Sequence, residues 1–209
     1  MAIQLLYCFN NEVDGLVVDE YLPLLPISIH TEITRYRNVN DQRVRLLARL
    51  IIHHALKRDN ALQLFNKWER DNFNKPQIAG WKFFNISHSK TLVTVAFGDS
   101  PVGIDVEKIR EINIDDLIGQ FHPEEREYIQ QSGDRLTTFY QIWAKKEALL
   151  KATGKGLLDD LTSFSCVDDT LLYNNQRWFL QRIAIDPEYM CYVCMDSEDE
   201  EVVIEEFAM

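Results

Sequence analysis

Apolar residues in this chain change their spacing repeatedly, and that alternation confines it to mixed helix and strand. From Asn40 to about Asn72, Val44, Leu47, Leu50, Ile51, Ala55, Leu62 and Phe65 recur at helical spacing, which predicts two helices broken near Lys57 to Asn60. Short strand-like runs follow at Phe83 to Ile86, Leu92 to Phe97 and Val102 to Val106. Ser87-His88-Ser89 and the turn Gly98-Asp99-Ser100-Pro101 separate them, giving a hairpin and a third strand. Helical spacing returns from Asp115 to Gln131, and again through Phe139, Trp143, Ala144, Leu149 and Leu150 to a glycine cap at Gly154. Phe164 to Val167, Leu171 to Tyr173, Trp178 to Ile185 and Tyr189 to Met195 then read as an antiparallel set, with a turn at Tyr173-Asn174-Asn175. The order helices, strands, helices, strands predicts an α+β architecture used twice, although no sequence repeat accompanies it.

With 209 residues, 46% of them hydrophobic, the chain can bury a substantial core. No apolar run is long enough to span a bilayer, and Ile3 to Phe9 carries neither a basic flank nor a cleavage site. The expectation is a cytoplasmic, unprocessed protein without a membrane partner. Cys8, Cys166, Cys191 and Cys194 lack the density of a disulfide framework and read as reduced and buried. Cys191-Tyr-Val-Cys194 has the spacing of a metal knuckle, but on a strand positions i and i+3 face opposite sides.

A net charge of -11 argues against a general nucleic-acid binder, whose surface must neutralise phosphates. The charge is uneven: residues 1–100 hold 12 Lys and Arg against 10 Asp and Glu, a net of +2, whereas residues 101–209 hold 10 against 23, a net of -13. Arg35, Arg37, Arg43, Arg45, Arg49, Lys57 and Arg58 could meet a small polyanion, or could simply be a solvated helix face. The acidic run Asp196 to Glu201 reads as a solvated linker.

Asp105 and Glu107 stand two apart in Val102-Gly-Ile-Asp-Val-Glu107, so both carboxylates share one face of a strand while Ile104 and Val106 take the other. Two converging acids repel unless a cation neutralises them, and hard oxygen donors suit Mg²⁺ completed by phosphate oxygens and water. In isolation the same pair is commonly a solvated strand face. Glu147 and Lys151, four apart on the last predicted helix, are either a surface ion pair or a third metal ligand with a cation that meets charge developing on phosphate. His88 is either a hairpin-closing structural residue or, with Ser87 and Arg45, a receiver of phosphate at the end of the sheet.

Four segments in this order resemble the 4'-phosphopantetheinyl transferase superfamily, and specifically its longer, surfactin-synthetase-activating type. They are Asn74-Lys75-Pro76, Phe84-Asn-Ile-Ser-His-Ser89, Val102-Gly-Ile-Asp-Val-Glu107, and Trp143-Ala-Lys-Lys-Glu-Ala-Leu-Leu-Lys151 continuing to Gly154-Lys-Gly156. The resemblance covers roughly residues 30 to 165. It departs from the family before Arg45, where Ser28 to Thr34 lacks the usual lysines and Arg35 and Arg37 are the nearest cations, and at Asn74, which replaces a frequent glycine. Asparagine can adopt the left-handed conformation such a turn needs.

The resemblance implies two similar α+β halves related by a pseudo-twofold, residues 1–101 binding the 3'-phosphate and adenine of coenzyme A and residues 102–209 carrying the metal site and carrier docking, with the extreme C-terminus packing back on the first half. It implies Mg²⁺, with Mn²⁺ as a substitute, on Asp105, Glu107 and Glu147. Glu147 and Lys151 would be catalytic, the first activating the acceptor serine and the second stabilising the leaving 3',5'-adenosine bisphosphate. Arg37, Arg45, Ser87, His88 and Lys151 would contact the coenzyme, and Lys75 would lie beside adenine. Glu125, in Phe121-His-Pro-Glu-Glu125, would support the metal ligands. The acceptor would be an apo acyl carrier protein or peptidyl carrier protein domain docking on an apolar patch near Gly156 to Phe164, and the enzyme a monomer. A metal-dependent nuclease, or a carrier- or coenzyme-binding module without catalysis, are the alternatives the same residues leave open.

Overall fold

Periodicity resolves into two four-stranded sheets and two long helices in the computed structural model, which describes residues 2–10, 16–154 and 160–209. The chain opens with β1 (Ala2–Phe9), the short helices α1 (Val18–Tyr21) and α2 (Ile27–Thr34), and the long α3 (Val39–Arg58). A small hairpin of β2 (Trp68–Arg70) and β3 (Pro76–Ile78) precedes β4 (Phe83–Ser89) and β5 (Leu92–Gly98). The second half runs through β6 (Gly103–Lys108), α4 (Pro123–Gln131) and α5 (Arg135–Thr153) to β7 (Thr170–Tyr173), β8 (Gln176–Arg182), β9 (Tyr189–Met195) and β10 (Glu201–Glu206). The sheets have the orders β10-β1-β5-β4 and β6-β9-β8-β7. The architecture is α+β.

Local chemistry explains most boundaries. Asn38 caps α3 by accepting from the amide of Asn40 at 2.8 Å, and Asn60, at φ 54°, breaks the chain out of it. The following Leu62–Lys67 is a 3₁₀ stretch rather than a second α-helix. Likewise the expected helix from Asp115 to Gln131 is α-helical only from Pro123, where proline at the first turn and a capping box between His122 and Glu125 start it. Gly154 ends α5 at φ 74°. Asn174 and Asn175, at φ 52° and 61°, turn β7 into β8. No strand forms at Phe164 to Val167, because its backbone is committed elsewhere. The carbonyls of Phe164 and Val167 accept from the ammonium groups of Lys146 and Lys145 at 2.6 and 2.9 Å, and the amide of Cys166 donates to Glu125 at 2.8 Å.

Three apolar layers stack through the molecule. One lies between α3 and the first sheet, where Leu47 and Ile51 meet Leu6 and Val95. A second lies between the two sheets, joining Ile3 and Leu5 to Ile104, Val106 and Val193. The third lies between the second sheet and α5. Cys191 belongs to the middle layer and Cys194 to the last, on opposite faces of β9, and all four cysteines are buried thiols outside any disulfide. β10 pairs in parallel with β1, from Ala2 opposite Glu201 to Tyr7 opposite Glu206, so the first sheet contains a strand from beyond residue 102. Among the described residues no helix is long and apolar enough to cross a membrane.

β4 and β6 are the facing edges of the two sheets, and side chains rather than a backbone ladder join them. Asn85 Oδ1, Ser87 Oγ and Ser89 Oγ accept from the amides of Ile104, Val106 and Lys108 at 3.0, 3.2 and 3.0 Å. Their spacing of two puts all three on one face of β4, where they satisfy an edge that would otherwise carry bare N–H groups.

Candidate active site

The seam delivers β6 to the centre of the molecule, and α5 lies directly on it. At Gly103 the approach is so close that an added Cβ would stand 2.0 Å from the carbonyl oxygen of Ala148 and 2.4 Å from the amide of Ala152. Contact at that range brings Glu147 and Lys151 of α5 over Asp105 and Glu107 of β6. Lys151 Nζ donates to Asp105 Oδ1 at 2.6 Å and to Ser87 Oγ at 3.0 Å, while Ser87 itself donates to Asp105 Oδ1 at 3.0 Å. Ser89 donates to Glu107 Oε2 at 3.0 Å.

These acids are poorly neutralised. Burial, with Asp105 and Glu107 adding repulsion against the pull of Lys151, raises the Glu147 carboxyl to about 7. Burial and Asp105 also raise Glu107, partly offset by hydrogen bonds from Ser89 and Trp143. Burial disfavours charge on Lys151, but Asp105 and the two glutamates prevail and raise it, keeping the ammonium charged. Asp105 Oδ2 is buried without a hydrogen-bond partner. A divalent cation fits this donor set: three carboxylates line one cleft, one oxygen is bare, and two carboxyls are held toward neutrality. Among the described residues no three such side chains already close around an ion, so water and substrate oxygens would have to complete the shell.

The opposite wall comes from the first half. The cleft encloses about 480 Å³ and is lined there by Arg35, Tyr36, Arg45, Arg49 and Arg70, with Ser87 and His88 at its floor. Tyr36 organises the cations: the Arg45 guanidinium stacks 3.6 Å above its ring and Arg35 Nη2 donates to its hydroxyl at 3.1 Å. Glu32 anchors the other two, meeting Arg70 at 2.6 Å and Arg49 at 3.3 Å. Arg49 is 6% exposed and its Nε has no partner. One carboxylate among four guanidinium groups leaves this wall strongly positive. Burial, reinforced by Arg45, Lys151 and Arg49, depresses His88 to about 4, so its ring is neutral at pH 7.

The cleft thus gathers Arg45, Ser87, His88, Asp105, Glu107, Glu147 and Lys151. It does not gather two other residues expected to meet the coenzyme. Arg37 is exposed and absent from its walls. The Lys75 ammonium turns away to the carbonyls of Lys151 and Val102, at 2.6 and 3.3 Å, and lines a separate cavity of about 380 Å³ beside Trp81. Burial lowers it to about 8. The turn before it does use a left-handed asparagine, with Asn74 at φ 66°. Glu125 stands outside the cleft: fully buried, it pairs with Lys146 at 2.8 Å and braces the far side of α5. Of the apolar patch expected to dock a carrier, residues 155–159 lie outside the described residues, and Phe164 is buried against Tyr173.

Sequence reasoning passed over Tyr36, Arg70 and Ser89. The signal for Tyr36 was its place between two arginines, and for Ser89 the two-residue spacing it shares with Asn85 and Ser87. Arg70 carried no local signal, since only the β2–β3 hairpin brings it to Glu32.

Comparison with known proteins bears on the same residues. A family model described as the 4'-phosphopantetheinyl transferase superfamily matches residues 101–201, which include both the β6 acids and α5. Over 190 residues the chain is 30% identical to 4'-phosphopantetheinyl transferase psf-1 of Bacillus pumilus, covering 85% of this chain and 81% of that protein. It is 34% identical over 160 residues to 4'-phosphopantetheinyl transferase gsp of Aneurinibacillus migulanus, covering 74% of this chain and 66% of that one. With 4'-phosphopantetheinyl transferase Sfp of Bacillus subtilis strain 168 it shares 29% identity over 177 residues, 79% of each.

Proposed function

The chain belongs to the 4'-phosphopantetheinyl transferase superfamily, and on that premise we infer that it moves the phosphopantetheine arm of coenzyme A to a serine of an apo acyl carrier protein or peptidyl carrier protein domain. The observation that carries this reading is the polarity of the single cleft, with three carboxylates and Lys151 on one wall and four arginines on the other. A pyrophosphate with a distant phosphate monoester matches that division.

Asp105, Glu107 and Glu147 would hold Mg²⁺, or Mn²⁺ in its place. The ion, when bound, would neutralise the pyrophosphate and make its phosphorus more electrophilic. Glu147 accepts the proton of the acceptor serine directly or through water. The serine oxygen forms its bond to the phosphorus that bears the pantetheine arm, and the bond from that phosphorus to the bridging oxygen breaks. The electron pair leaves on 3',5'-adenosine bisphosphate, whose new charge meets the Lys151 ammonium. Arg45 and Arg35, ordered by Tyr36, with Arg49 and neutral His88, receive the 3'-phosphate.

A neighbouring cavity of about 490 Å³ shares His88, Glu107 and Trp143 with the cleft and continues along Leu117 and Phe139 to Lys90 and Arg110. Its apolar walls suit the pantetheine arm, and its exposed cations suit an acidic carrier. The reading extends to two halves related by a pseudo-twofold, divided at 101/102, acting as a cytoplasmic monomer with one site. Each half packs one long helix on a sheet, and the three strands of the first half are completed to four by β10, which supports the first of these. The test is purified protein with coenzyme A, Mg²⁺ and a panel of apo carriers, followed by intact mass. Gain of one phosphopantetheine per carrier is expected; no gain on any of them overturns the assignment.

A further inference from the structure

Ser89 stands at the end of β4, paired with Leu92 across the tight turn that Lys90 makes at φ 53°. Its hydroxyl is doubly committed: Oγ accepts from the Lys108 amide at 3.0 Å and donates to Glu107 Oε2 at 3.0 Å. A hydroxyl has one proton, so accepting from a backbone amide leaves that proton for the carboxylate alone. The amide belongs to the residue after Glu107, and the Glu107 backbone is itself locked in the ladder opposite Met190. Backbone and carboxylate of one glutamate are therefore referenced to a single oxygen from the other half of the molecule. Trp143 also donates to this carboxylate, so Ser89 and Trp143 together orient it at the cleft, with Ser89 alone of the two tying it to the β6 backbone.

We propose that Ser89 is a positioning residue for metal binding, fixing the orientation of Glu107 so that its carboxylate is presented to the divalent ion. The inference rests on the transferase reading above. It differs from the role of Ser87, whose oxygen lies within the Asp105–Lys151 pair; Ser89 touches neither Lys151 nor the arginine wall. Loss of such a supporting hydrogen bond weakens metal affinity about 10-fold or more in comparable sites.

Ser89→Ala and Ser89→Thr separate positioning from plain structural support. Mn²⁺ binding would be measured by electron paramagnetic resonance on the whole chain with coenzyme A present, alongside Mg²⁺ titrations of the transfer rate. Ser89→Ala should bind Mn²⁺ about 10-fold more weakly and need about 10-fold more Mg²⁺ for half-maximal rate, while the KM for coenzyme A at saturating Mg²⁺ stays within about threefold. Ser89→Thr, which keeps the hydroxyl, should restore Mn²⁺ binding. A Ser89→Ala protein that melts earlier and turns over more slowly, but keeps wild-type Mn²⁺ affinity, overturns the proposal, as does a Ser89→Thr protein that fails to recover it. If the wild-type chain loads no carrier, the transferase reading fails and takes this one with it. Wild-type transfer with unaltered Mn²⁺ binding in Ser89→Ala removes this inference alone.

Discussion

Replacing Gly103 by alanine tests whether the contact of α5 with β6 sets the geometry of the site. The added Cβ would lie 2.0 Å from the Ala148 carbonyl oxygen and 2.4 Å from the Ala152 amide, where ordinary contact begins near 3.4 Å. Both atoms are helix backbone, so no side chain can swing away. Relief requires α5 to retreat by about 1.4 Å, the difference between 3.4 and 2.0 Å. Glu147 and Lys151 flank those contacts and must move with the helix, stretching the 2.6 Å bond from Lys151 to Asp105. A misplacement of about 1 Å costs on the order of 100-fold in rate. Overpacking a core of this kind costs about 1–3 kcal/mol in stability. Urea unfolding and the rate of carrier loading would be measured together, with Gly133→Ala as the control, since a Cβ there meets nothing within 4 Å. The reasoning is refuted if Gly103→Ala loads carrier at more than half the control rate and unfolds at the same urea concentration.

Three further outcomes follow from the same geometry. Glu147→Gln removes the proton acceptor and one metal ligand without changing size, so carrier loading should fall at least about 100-fold while thermal unfolding stays close to wild type; near-normal loading would exclude the role. His88 sits at about 4 in the fold against an ordinary 6.5, so between these values the unfolded chain binds a proton that the folded chain refuses. Its contribution to stability is therefore present above pH 6.5 and lost as pH falls toward 4, by at most about 3 kcal/mol. Urea unfolding of His88→Gln should show a shallower loss across that window, and an identical loss in both proteins would rule the histidine out. Tyr36→Leu removes the platform under Arg45 and should raise the KM for coenzyme A about 5- to 30-fold, corresponding to about 1–2 kcal/mol, with little change for 3'-dephospho-coenzyme A. Equal effects on both coenzymes would place Tyr36 away from the 3'-phosphate.

Much of the carboxylate wall was legible because its spacings are local. Alternation along β6 puts Asp105 beside Glu107, and a four-residue step along α5 aligns Glu147 with Lys151, so each pair needs only the geometry of its own element. The anion side was legible only in part, since Arg45 and His88 come to it from separate elements and Arg70 arrives through a hairpin. Charge alone did not show where two sets of lysines end up. Lys145 and Lys146 are both 1% exposed, because the backbone of Phe164 to Val167 gives up a strand to receive them. Lys75 falls in a recognisable motif, but its ammonium serves two carbonyls rather than the cleft. In Phe84 to Ser89 the histidine draws attention, while Asn85, Ser87 and Ser89 join the sheets by contacts whose local sign is only their two-residue spacing.

The return of β10 to β1 has a mechanical meaning. Two covalent crossings link the halves, one between β5 and β6 and one between β9 and β10, and the second is latched by a ladder spanning Ala2 to Tyr7. The two crossings run side by side, Ser100 Oγ donating to Asp196 Oδ1 at 2.7 Å, so the sheets are tied along one line by two strands of chain. The ladder itself lies within the first sheet and holds the second crossing to it. A doubled crossing resists the twisting of one sheet against the other that a single connection would allow, and so keeps the arginine wall in register with the carboxylates.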